Sequence, residues 1–200
     1  MTLSARYRMH LPERFLQKEV NERVVCELLC RALCIGEARR GDPALREPDL
    51  FLDGRGEEVT LATEGKHNPS FLGKYCDGEY RLDEAQNAMT LPILAALERK
   101  SRKSYVGRPV AVAVLCMLEL FDWTEDTFGR LLAGQPLRER DAFFSIVREL
   151  YIERGIFSEV HLLVPTLSRG WVVFALAEKK QFLVPLADEA DKFPYFEKNG

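Results

Sequence analysis

The chain has 200 residues, 46% of them hydrophobic and 30% charged, enough apolar material for the core of one ordinary domain. A formal net charge of -3 argues against a uniformly cationic protein that coats nucleic acid, but not against an enzyme with an acidic site and local basic residues. The longest apolar run, Val110 to Leu118, is far too short to cross a bilayer, and the N-terminal stretch lacks the apolar segment of a signal peptide. With five cysteines and no export signal, free thiols in a reducing cytoplasm are expected.

Residues 1–15 form a mixed basic and apolar lead-in, a candidate extra strand or arm. From Phe15 to Ile35 the apolar residues Leu16, Val20, Val24, Leu28, Leu29, Ala32 and Leu33 recur at three- and four-residue steps, which predicts a helix stopped near Gly36. Glu27 sits at the edge of that stripe, either salt-bridged in solvent or facing a site at the border of helix and sheet. Cys26, Cys30 and Cys34 share one face at four-residue steps. A straight helix spreads them over roughly 6 and 12 Å, so one metal cannot take all three, and buried thiols are the expectation.

Residues 36–47 read as a charged Gly/Pro loop made locally basic by Arg39, Arg40 and Arg46, with Arg46 a candidate phosphate contact. Two alternating runs then suggest a hairpin. The first holds Asp49, Leu50 and Leu52; the second holds Val59, Leu61 and Glu64. A four-residue loop, Gly54–Glu57, sets Leu52 opposite Val59 and Leu50 opposite Leu61. In that register Asp49 is the diagonal neighbour of Glu64 on one face, Glu47 lies opposite Glu64, and Lys66 follows on the same side. Two carboxylates so placed can share a hard divalent cation.

A loop over residues 67–78 leads to a helix predicted from Leu82 to Arg99, bent at Pro92 and basic at its end through Arg99, Lys100, Arg102 and Lys103. Residues 110–118 predict a buried central strand. Helices follow over Asp126–Ala133 and Arg140–Arg154, then two strands, Val160–Val164 and Trp171–Leu176. The last fifteen residues carry few structural signals. Of the histidines, His10, His67 and His161, only His67 lies near the candidate site in the chain. No phosphate-binding glycine loop or nucleophile elbow is present, and Trp123 and Trp171 read as core.

The order helix, hairpin, helix, strand, with Pro48-Asp49 on one strand and Glu64-Gly65-Lys66 at the end of the next, resembles the PD-(D/E)XK nuclease superfamily over residues 16–118. The resemblance implies an α/β fold, a central mixed β-sheet flanked by helices. Its restriction-endonuclease-like core would span 16–118 of a single domain, 1–200. C-terminal helices and a hairpin would elaborate it over 119–200. It implies a divalent-metal-dependent nuclease acting on DNA as an endonuclease, alone or as a homodimer or larger complex, with no membrane partner. Asp49 and Glu64 would bind Mg²⁺ or Mn²⁺, Lys66 would position the attacking water, and Glu27 would be the additional glutamate from the first helix. Gln86, His67 and Arg46 would contact substrate. Some members have Gln and Tyr four residues apart on the second helix; here Gln86 is followed by Thr90. Two other readings remain open: a nuclease-like fold serving as a non-catalytic binding or assembly module, and a strand-edge Glu64–Lys66 ion pair of little energetic weight.

Overall fold

The strand with no polar side chain lies at the centre of the fold. β6 (Ala111–Cys116) is buried at every position. It runs parallel to β4 (Arg55–Ala62) on one side and to β7 (Val160–Pro165) on the other. A strand covered on both faces has no solvent side to mark with polar residues, hence the unbroken apolar run. The computed structural model describes residues 6–10, 17–62, 79–81, 90–105, 109–116, 138–165, 170–186, 193 and 195–198.

Around β6 the sheet has seven strands in the order β2-β3-β4-β6-β7-β8-β9. The outer strands are β2 (Ala38–Arg40), β3 (Leu50–Leu52), β8 (Gly170–Ala175) and β9 (Lys180–Pro185), all joined antiparallel. The protein is therefore α/β with a mixed sheet, as expected. Helix α1 (Lys18–Leu33) covers one face through Val24, Val25, Leu28, Leu29 and Ala32. Helices α2 (Thr90–Ser101) and α3 (Arg138–Val147) lie in the β4–β6 and β6–β7 connections and contribute to the core on the other face. Both crossovers put their helix on one face, as successive parallel connections of one hand require. α3 continues into a π-helical turn, Arg148–Ile152, that buries Tyr151. A separate three-stranded sheet joins β1 (Arg6–His10) to β5 (Glu79–Arg81) and β10 (Tyr195–Lys198). No helix among the described residues is long and apolar enough to cross a membrane.

The first helix, the central strand and the β7–β8 pair stand where hydrophobic pattern puts them. The lead-in supplies β1, and the expected loop over 36–47 contains β2 and a 3-10 turn, Pro43–Leu45. α2 begins at Thr90, so Pro92 falls in its first turn, where a missing N–H costs no helical bond. The expected helix over Asp126–Ala133 and residues 82–89 lie outside the described residues. The last fifteen residues contribute β10.

The hairpin departs from expectation in its register. Leu50 faces Glu57, Phe51 faces Gly56 and Leu52 faces Arg55, joined by a two-residue turn, Asp53-Gly54. Asp53 (φ 45°) and Gly54 (φ 77°) both adopt left-handed backbone, the signature of a tight turn whose twist matches the strands. Asp53 also accepts from the backbone amides of Gly36 (3.2 Å) and Glu37 (2.9 Å), tying the turn to the start of β2. Arg55 and Gly56 are strand, not loop. The partner of Leu52 moves four residues, from Val59 to Arg55. Because four is even, Leu50, Leu52, Val59 and Leu61 still share one face and pack beneath α1.

A close backbone approach holds β2 to the head of β3. A Cβ on Gly41 would stand 1.8 Å from the Pro48 carbonyl oxygen, whereas one on Gly36 would stand 3.7 Å from its nearest neighbour. Gly41→Ala is expected to destabilise by about 2 kcal/mol or more, and Gly36→Ala to change stability by at most about 0.5 kcal/mol, in urea unfolding of the two variants.

Candidate functional site

Pro48 ends the β2–β3 connection and Asp49 follows at the mouth of β3. Continuing the observed register by one step brings Asp49 level with Glu58 rather than Ala62. Its carboxylate does the work of a missing strand residue: Oδ2 accepts the Val59 backbone N–H at 2.9 Å, where β4 has run past β3.

Two lysines from different helices converge on the same carboxylate. Lys18 Nζ, in the first turn of α1, lies 2.9 Å from Asp49 Oδ1 and 3.1 Å from Glu22 Oε1. Lys100 Nζ, near the end of α2, lies 3.2 Å from Asp49 Oδ2 and also hydrogen-bonds Glu58 Oε2. Beyond these, Arg40 pairs with Glu22, and Lys103 Nζ lies 3.2 Å from Glu58 Oε2. The result is an alternating row: Arg40, Glu22, Lys18, Asp49, Lys100, Glu58, Lys103. Three carboxylates whose side chains are at most 8% exposed are interleaved with four cations, and Arg99 closes the α2 end by donating to Thr60 Oγ1 at 3.3 Å.

Burial alone would push the Asp49 carboxyl up. The Lys100 charge and the hydrogen bonds from Lys18 and the Val59 amide outweigh it and hold Asp49 well below the usual carboxylate range. Asp49 therefore stays ionised at any physiological pH, and its charge is balanced from both sides.

The opposite face of β4 carries a second buried pair. Glu57 Oε1 lies 3.0 Å from His161 Nδ1 of β7, across the strand that holds Ala111 and Ala113. Burial of the imidazole would lower its pKa. The carboxylates of Glu57, Glu159 and Glu178 outweigh that and raise it, while burial also raises the Glu57 carboxyl, so the two groups share a proton across their hydrogen bond.

Of the residues singled out from sequence, Asp49 is the one at the centre of this cluster. Glu27 pairs instead with Arg31, one turn along α1 (2.6 Å). Arg46 is exposed in a left-handed conformation after the 3-10 turn. Glu47 accepts from Arg39 (3.0 Å) and from the Asp42 backbone amide (2.9 Å), and Arg39 also stacks 3.7 Å over the Phe51 ring. Glu64, Lys66, His67 and Gln86 lie outside the described residues. The diagonal relation of Asp49 to Glu64 rested on the four-residue loop and does not follow from the observed register. Cys26, Cys30, Cys34 and Cys116 are free thiols; burial and the neighbouring Cys26 push Cys30 up to about 11, which leaves it protonated at neutral pH.

Glu22, Glu58, Lys100 and His161 were not singled out from sequence. The signal was present for three of them. Glu58 interrupts a strand otherwise bound for the core, Glu22 falls on the inner face of α1, and Lys100 sits in the basic end of α2.

Among the described residues no three His, Cys, Asp or Glu side chains form a ready metal group. Mg²⁺ does not need one: it is commonly held by one or two carboxylates, with waters and substrate completing its shell. Asp49 and Glu58, or Asp49 and Glu22, supply such hard oxygen pairs, and each pair already shares one cation, an ammonium. The donor chemistry therefore suits a divalent ion.

Asp49→Asn should lower stability by about 3 kcal/mol near pH 7, because it leaves two lysines facing a neutral amide. A depressed carboxyl stabilises fully above its unfolded value, so the gap to wild type should narrow as pH falls below about 4. For His161 the sign reverses. Its pKa is raised on folding, so its contribution is full below about 6.5 and is lost at higher pH. The stability difference between wild type and His161→Gln should therefore shrink from pH 6 to pH 9 in chemical denaturation.

No protein-family model, curated protein or solved structure matches this chain.

Proposed function

We propose that the protein is a divalent-metal-dependent nuclease of restriction-endonuclease-like architecture that cleaves DNA. Its site combines Asp49, Glu58 and Lys100, with Glu22 as the glutamate from the first helix. The observation that carries this reading is the Lys100 ammonium bridging the carboxylates of half-buried Asp49 and buried Glu58 at the junction of β3, β4 and α2. The succession of α1, the β3–β4 hairpin, α2 and β6 supports it, since the sequence resemblance implies helix, hairpin, helix and strand; β2 and β5 are additions to that order. So do the free thiols, which suit the cytoplasm.

The chain's residues divide the work by chemistry. Asp49 and Glu58 would hold Mg²⁺ or Mn²⁺, with Glu22 a third carboxylate reached through Lys18. A bound ion of this kind lowers the pKa of its water and stabilises charge building on the phosphate. Lys100 lies between the two acids and offers N–H donors to a hydroxide or phosphoryl oxygen. Lys18, Arg40 and Lys103, each at least half exposed, rim the acids and would receive the DNA phosphates on either side. The -3 net charge of the whole chain does not describe this rim.

A second reading is a nuclease-like fold that binds without cutting. It draws on the closed charge balance of the row: both oxygens of Asp49 are already engaged.

Cleavage of supercoiled plasmid with Mg²⁺ or Mn²⁺ tests the proposal. Asp49→Asn, Glu58→Gln and Lys100→Met are each expected to slow cutting by about 100-fold or more with folding retained. If Glu64→Gln and Lys66→Met abolish cutting while Glu58→Gln does not, the site lies at Glu64 and Lys66 instead. A wild-type protein that cuts neither DNA nor RNA with either metal, yet binds DNA without metal and regardless of Glu58→Gln, is the binding module.

A further inference from the structure

Lys18 differs from the other cations of the row in cost and position. Its side chain is 66% exposed, yet it bridges two acids that are almost fully buried, Glu22 and Asp49. Lys100, by contrast, is 11% exposed and enclosed between Asp49 and Glu58. Lys18 also opens α1, where the aligned peptide dipoles disfavour a cation, and Gln17 before it gives no side-chain cap. Helix formation therefore does not explain a lysine here; the two carboxylates do. A groove of about 410 Å³, lined by Glu22, Arg23, Cys26, Arg40 and Leu50, opens beside Glu22 at this end of the row.

We infer that Lys18 is a built-in competitor for the divalent cation: its ammonium bridges Glu22 and Asp49 in the metal-free protein and leaves when the ion binds. This rests on the metal-dependent reading above. The ammonium offsets the repulsion between two acids whose side chains are at most 8% exposed. Its departure is cheap, since the long side chain already reaches solvent and swings out without opening the core. Lys100 remains between Asp49 and Glu58, so the acids do not lose both counter-ions at once. The competition weakens cation binding, and the protein takes up metal only where its concentration is high or where DNA phosphates add ligands.

Calorimetric titration with Mn²⁺ alone, without nucleic acid, measures this apart from cleavage. Lys18→Met and Lys18→Gln should bind Mn²⁺ about tenfold more tightly than wild type, Lys18→Arg should bind as wild type, and Lys180→Met, on the far edge strand, should show no change. Binding by Lys18→Met where wild type is silent would support the inference equally. Equal or weaker binding by folded Lys18→Met and Lys18→Gln overturns it and leaves the nuclease reading standing. No Mn²⁺ binding by any of the proteins sinks both. In wild type, the ¹⁵N-lysine side-chain signal of Lys18 should shift on addition of Mg²⁺; an unmoved Lys18 signal with Mg²⁺ bound also overturns it.

Discussion

One carboxylate is the point where α1, the β3–β4 hairpin and α2 meet. Asp49 heads β3, receives the Val59 amide of β4, and binds lysines from α1 and α2. Each partner depends on it in turn. Without Asp49 the Val59 N–H would lose its acceptor, and two ammonium groups beside the core would lose a counter-ion. The bare backbone of Gly41 lets the Pro48 carbonyl come close beside it, and the Gly41 N–H donates to the Asp49 carbonyl at 3.1 Å.

β4 distributes its acids by pleat. Glu57 and Glu58 are neighbours in sequence but point to opposite faces, and both are buried. On the α1 side, Glu57 meets His161 over the methyl groups of Ala111 and Ala113, small enough for the two longer side chains to reach each other. On the α2 side, Glu58 meets Lys100 and Lys103. An isolated buried carboxylate costs several kcal/mol, so neither acid would be retained without these partners. The two pairs differ in what they can do. The Glu57–His161 pair is buried and works on stability; the Glu58 pair adjoins exposed cations and can meet a ligand.

Local charge and global charge point in opposite directions. The chain carries a small negative excess, yet the row around Asp49 holds four cations to three acids. Interactions between exposed charges fade within about a Debye length of 8 to 10 Å, so an approaching phosphate responds to the row more than to the total.

Much of the fold was legible in the sequence because it is set by short-range pattern. Three- and four-residue apolar steps determined α1, an unbroken apolar run determined β6, and Asp53-Gly54 determined a tight hairpin turn, whose dipeptide outweighs the longer loop that matching leucines suggested. The sequence also determined that Asp49 would head a strand, and even parity kept the hairpin faces correct through the register change. The partners of Asp49 were decided only by tertiary structure. Lys100 is 51 residues away, and His161 lies 104 residues from Glu57. Their meetings depend on β4, β6 and β7 lying side by side and on α2 packing its last turn across β4. Side-chain periodicity carries no information about which strands become neighbours, whereas charges bind whatever the sheet order brings within about 3 Å.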